Sequence, residues 1–155
     1  PPRSTLFPYT TLFRSFNEKF VNAHLMPEIS SEFSEEISTK TLKPYAMADS
    51  SDGLADALFK IAESSNVTIC VDFDKIPYEK DLEKFDYKKK ILFGGEDYKL
   101  VATVDKTELE KISSNLYTII GTVEKKESCP LKIRTKDKII KIKDLENTFN
   151  HFKGD

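Results

Sequence analysis

The stretch MADSSDGLADALFKIAESSNVTICVDFD, Met47 to Asp74, decides how this chain is read. Leu54, Ala57, Leu58, Ile61 and Ala62 recur at spacings of three and four, which predicts one apolar helix face running to about Glu63. Val67, Ile69, Val71 and Phe73 then alternate with Thr68, Cys70, Asp72 and Asp74, the period of a strand buried on one side. Met47 and Ala48 fit a short strand that delivers the polar run Asp49-Ser50-Ser51-Asp52-Gly53 to the helix start.

Working outward, PEISSEFSEEISTK upstream carries a modestly amphipathic helix, preceded by FNEKFVNAHLMP from Phe16. Downstream, YEKDLEKFDYKKK reads as helix or loop, with Lys88 to Lys90 on a solvated face. The apolar run ILFGGEDYKLVATVD breaks at Gly94-Gly95 and resumes as a strand with Tyr98, Leu100, Ala102 and Val104 on one face. KTELEKISS is a short helix, YTIIGTVE a strand, LKIRTKDKIIKI a hairpin turning at Lys136-Asp137, and LENTFNHF a closing helix or loop. Strands and helices mix without a strict βαβ repeat, so the expected class is α+β.

Residues 1–15, PPRSTLFPYTTLFRS, follow neither a helical nor a strand period. They read as translated sequencing-adapter read-through, expected to be disordered, and are set aside from the fold. The remaining 16–155 is enough for one domain with a core.

Lys and Arg total 24 against 26 Asp and Glu, a net charge of −2, so nothing electrostatic nominates nucleic acid or an anionic membrane. Cys70 and Cys129 stand far apart and outside any CxxC spacing, which argues against zinc or a disulfide framework and for a reducing cytoplasm. No apolar run approaches the ~20 residues of a membrane helix.

The plain reading of Asp49 to Gly53 is helix capping, since Asp and Ser oxygens satisfy the free N–H groups of a first turn. One cap needs one residue, however, and four candidates stand here. The alternative is a hard cation held by the carboxylates, which together with the helix N-terminus binds phosphate. An EF-hand fails, because counting from Asp49 places Gly53 at position five rather than six, and no GxxxxGK[ST] or GxGxxG occurs. The second constellation, Phe93-Gly94-Gly95-Glu96-Asp97-Tyr98, reads either as a glycine turn or as backbone that approaches a ligand closely, with Glu96 aimed at a site. His24 and His151 lack a nearby nucleophile and read as structural.

Taken together, Asp49-Ser50-Ser51-Asp52-Gly53-Leu54 and Gly94-Gly95-Glu96-Asp97-Tyr98-Lys99-Leu100 resemble the D-x-S-D-G-L and G-G-E-D-Y-x-L segments of the thiamine-monophosphate kinase family. His24 to Pro27, Ile120-Gly121 and Thr148 to Phe152 are weaker echoes in the family's order, so the resemblance spans about 16 to 152. It implies the C-terminal domain of the aminoimidazole-ribonucleotide-synthetase-like type, an α/β/α layered α+β fold with a mixed sheet flanked by helices. It also implies ATP-dependent phosphorylation of thiamine monophosphate to thiamine diphosphate, in the cytoplasm, by a full-length protein that is a homodimer. On the same resemblance Asp49 and Asp52 match magnesium ligands, Ser51 a contact to the ATP phosphates, Glu96 a substrate-binding carboxylate, and Phe149 an aromatic that packs on the thiamine rings.

Two departures stand out. Thr148 replaces the family's glycine beside the aromatic, and the family's N-terminal ATP-binding domain, with further magnesium-binding aspartates, has no counterpart in this sequence. The expectation is a fragment that is inactive or feeble by itself. A free-standing ligand-binding or regulatory module and another member of the same ATP-using superfamily are the alternatives.

Overall fold

The computed structural model describes residues 30–84, 86–95 and 97–145. Residues 1–15 and the segments around His24 and Phe149 lie outside them.

Helix α1 (Ser31–Lys40) buries Phe33 and Ile37, one turn apart on a single face. Strand β1 (Ala46–Asp49) follows and pairs antiparallel with β3 (Leu100–Thr103). The two faces of this ribbon serve different cores. Met47, Leu100 and Ala102 pack with Phe33 and Ile37 of α1 and with Ile112, whereas Ala46, Ala48 and Val101 pack toward the main core.

That main core is built on helix α2 (Leu54–Ser64), whose Ala55, Ala57, Leu58, Ile61 and Ala62 are buried as the periodicity predicts. The helix lies between the ribbon and a four-stranded mixed sheet of order β4-β2-β5-β6. Here β2 is Val67–Asp72, β4 Gly121–Lys125, β5 Leu131–Arg134 and β6 Ile139–Ile142. Strand β2 runs parallel to β5 and antiparallel to β4. The hairpin from β5 to β6 turns where expected, with Thr135 N–H donating to the Lys138 carbonyl at 2.8 Å. The α+β class and the mixed sheet are as expected. Helices flank the two-stranded ribbon on both faces, and α2 covers the inner face of the mixed sheet.

Three local differences have physical causes. Strand β2 is buried on both sides rather than one, because the loop before β5 folds over its second face. There the fully buried Thr68 hydroxyl donates to the Cys129 carbonyl at 2.9 Å and accepts from Glu127 N–H at 2.8 Å. The strand also stops at Asp72, and Phe73–Lys75 form a 3-10 turn in which Phe73 drops into the core. Ile91 to Phe93 complete helix α3 (Tyr87–Phe93), with Leu92 fully buried, and the chain enters β3 only after a positive φ of 50° at Tyr98. Tyr98 is therefore not in the strand and does not share the face of Leu100. The short helix α4 (Lys106–Leu109) is capped by Asp105, which accepts from Thr107 N–H at 2.9 Å.

Candidate functional site

Strand β1 delivers Asp49 to the end of the ribbon, opposite Leu100. Beyond it the chain turns sharply. Ser50 N–H donates to the Lys99 carbonyl and Gly53 N–H to the Ser50 carbonyl, both at 2.9 Å, which closes a turn over Ser51 and Asp52. Gly53 then begins helix α2 at φ 109°, a conformation that side chains other than hydrogen rarely adopt. Glycine rather than a side-chain oxygen stands at the N-cap, and no side-chain cap bond forms there. Asp49, Ser51 and Asp52 are thus left free of the capping role.

The second glycine segment packs directly on this turn. A Cβ on Gly95 would stand 2.6 Å from the Ser51 carbonyl oxygen, and one on Gly53 would stand 3.2 Å from the Leu92 carbonyl oxygen and the Phe93 backbone. The two motifs, about forty residues apart in sequence, touch backbone to backbone. The close approach that glycine permits at Gly95 is therefore to the neighbouring loop.

Asp49 and Asp52 are exposed and Ser51 is half-buried. Among the described residues the Asp49 carboxylate and the Ser51 hydroxyl have no hydrogen-bond partner. Asp52 has one, the Lys60 ammonium at 3.2 Å, which also pairs with Asp56 at 2.6 Å. Sequence reasoning missed Lys60, although its spacing of four from Asp56 on a helix was a usable signal. Burial of the carboxyl raises the Asp97 pKa, with the Lys99 charge opposing the rise, while the residue as a whole stays exposed. Glu96 and Phe149 lie outside the described residues.

No group of three or more potential metal ligands gathers among the described residues. The carboxylates present match what magnesium takes from a protein, one or two hard oxygen donors completed by phosphate and water oxygens. The N-terminus of α2 adds a favourable field for phosphate, but the carboxylates ahead of it, of which only Asp52 has a cationic partner among the described residues, oppose an anion until a metal cation is present.

No family model matches the chain. Over 108 residues, 68% of its length, the chain is 41% identical to the thiamine-monophosphate kinase of Pyrococcus horikoshii. The chain is homologous to the thiamine-monophosphate kinases. With the Bacillus subtilis kinase it shares 34% identity over 142 residues, 86% of its length. It spans only 33% and 42% of these two kinases, less than half of either. Two solved structures of the Aquifex aeolicus kinase match at TM-score 0.63 and 27% identity. One, complexed with AMPPCP and TMP, matches over 83% of this chain and 43% of its own; the other matches over 85% and 46%. The α+β fold described above is that of the kinases' C-terminal domain. No described helix is long and apolar enough to cross a membrane.

Proposed function

We propose that residues 16–155 form the C-terminal domain of an ATP-dependent kinase that phosphorylates thiamine monophosphate to thiamine diphosphate. The observation that carries the reading is the backbone contact of Gly95 with Ser51 in a chain homologous to such kinases. It sets the loop bearing Asp49, Ser51 and Asp52 against Gly95 of the second glycine motif. The ligands of the Aquifex aeolicus kinase, AMPPCP and TMP, support the same pair of substrates, since AMPPCP is an ATP analogue and TMP reads as thiamine monophosphate.

In the proposed reaction the terminal phosphoryl group of ATP leaves the β-phosphate oxygen and joins a phosphate oxygen of thiamine monophosphate, giving ADP. Both partners are anions, so alignment and charge neutralisation matter more than a side-chain nucleophile. Asp49 and Asp52 would hold magnesium, which when bound neutralises phosphate charge. The Ser51 hydroxyl, without a partner among the described residues, is available to donate to an ATP phosphate oxygen. Glu96 would face the cationic thiazolium and Phe149 would stack on the thiamine rings, with Thr148 altering the approach to that aromatic.

Two carboxylates make half a site. The remaining ligands, much of the ATP site and the homodimer contact belong, in this reading, to an N-terminal domain, and the whole protein works in the cytoplasm. The purified chain alone should therefore release ADP feebly or not at all, whereas adding the N-terminal half of a homologous kinase in trans should restore turnover. Asp52→Asn should then lower the restored kcat by at least tenfold. Full turnover by the chain alone, or unchanged turnover in Asp52→Asn, would remove this assignment.

A further inference from the structure

Helix α2 carries a cation into the acidic loop that the functional reading leaves unused. The Lys60 ammonium lies 3.2 Å from Asp52 Oδ2 and 2.6 Å from Asp56 Oδ2. The two pairs differ in kind. Asp56 stands four residues before Lys60 on the same helix, in the favourable order of acid before base, and its side chain is only 23% exposed. Asp52 stands on the loop ahead of the helix and is 71% exposed, so it is the partner that another cation can reach. A divalent ion at Asp52 competes with the ammonium for the same oxygen, and an ammonium displaced from Asp52 still holds Asp56.

We propose that Lys60 is a positioning residue of the acidic loop: its ammonium stands at Asp52 while no divalent cation is bound and passes wholly to Asp56 when one binds. The inference rests on the proposed role of Asp52 as a metal ligand and adds an exchange of partners to it. Asp52 and Asp56 both reach the one Lys60 ammonium, which brings their two carboxylates close together at the helix start. Lys60 offsets their mutual repulsion and keeps the loop set without a metal. After the exchange its positive charge remains beside the loop, where an arriving phosphate gains from it. The bare cation is held less tightly than it would be without Lys60, so cation and phosphate are favoured together over the cation alone.

Manganese(II) is the probe, because it accepts the same oxygen donors and broadens nearby NMR signals. The 155-residue chain is titrated with Mn²⁺ as wild type, Lys60→Met, Lys60→Arg, Asp52→Asn and the Asp52→Asn/Lys60→Met double variant, following backbone amide resonances. Lys60 is exposed, and matching spectra before metal addition confirm that each variant is folded. Broadening should centre on residues 49–53. Half-saturation should fall about two- to five-fold in Lys60→Met, the strength of an exposed ion pair, and stay unchanged in Lys60→Arg. The gain should vanish in the Asp52→Asn background. Equal half-saturation in wild type and Lys60→Met, or an equal gain without Asp52, overturns the exchange and leaves the metal assignment standing. Absence of broadening at 49–53 in the wild type overturns both.

Discussion

Gly95 and Thr68 show how much of this fold depends on single atoms. A methyl group on Gly95 would press on the Ser51 carbonyl at 2.6 Å, backbone against which no side chain can swing aside. Gly95→Ala should cost about 1–3 kcal/mol of stability by urea unfolding and shift the amide resonances of residues 50–53; unaltered stability would show that the contact is not tight. Thr68→Val leaves the Glu127 N–H and the Cys129 carbonyl without their partner. The expected loss is about 1–3 kcal/mol in the same measurement, with Thr68→Ser closer to wild type because the hydroxyl is kept. Neither role was legible in the sequence. Thr68 sits on the face that alternation marks as polar, and only the loop before β5, some sixty residues later, turns that face inward. The candidate site was legible as residue types, since Asp49, Ser51 and Asp52 were singled out before any geometry. What holds them, Lys60 on one side and Gly95 on the other, depends on contacts that no local pattern encodes.

At the scale of elements, α2 was the most readable, because a five-residue apolar stripe at helical spacing has one economical way to be buried. Helix α1 is held more narrowly. Phe33 and Ile37 anchor it in the smaller core with Ile112, and Glu36 ties it to the following segment by accepting from Ser113 N–H at 2.7 Å and the Ser113 hydroxyl at 2.8 Å. Ile37→Ala should therefore cost about 2–5 kcal/mol, read as loss of protection of the α1 amides in hydrogen exchange ahead of those of β2. If α1 and β2 lost protection together, the two cores would be one unit.

The Glu36 carboxylate also sets a pH dependence. Its bond from Lys40, followed by those from Ser113, lowers its pKa from 4.5 to about 2 in the folded chain. A carboxyl lowered on folding adds stability that is fully present above about 4.5 and is lost as pH falls toward about 2. Asp105, which caps α4, is lowered to about 2 by Thr107 and then Lys43, and acts in the same direction. The thermal midpoint should fall across that window, and less steeply in Glu36→Gln, which cannot titrate; parallel curves for the two proteins would remove Glu36 from the acid response.

For the molecule as a whole, the sequence pattern fixed the class but not the layering. An α+β reading followed from the absence of a βαβ repeat. The separation into a two-stranded ribbon and a four-stranded sheet follows from pairings between β1 and β3 and between β2 and β5, each joining distant segments. Alternation along a strand says which residues share a face, and it is silent on which strand lies alongside. The chain spans 33% of the Pyrococcus horikoshii kinase and 42% of the Bacillus subtilis kinase, so the kinase chemistry proposed above calls on segments more distant still.

The placement of the glycine segment also bears on the order in which this protein is made. The turn from Asp49 to Gly53 leaves the ribosome with its own hydrogen bond but without Leu92, Phe93, Gly95, Lys99 and strand β3, which brace it from the other side. Synthesis at about 5–20 residues per second separates the two events by roughly 2 to 10 s. A nascent chain halted before Leu92 should present residues 49–53 to a protease that the completed chain resists. During that interval the acidic loop stands unbraced, and it takes the packed form described above only when the second glycine segment arrives.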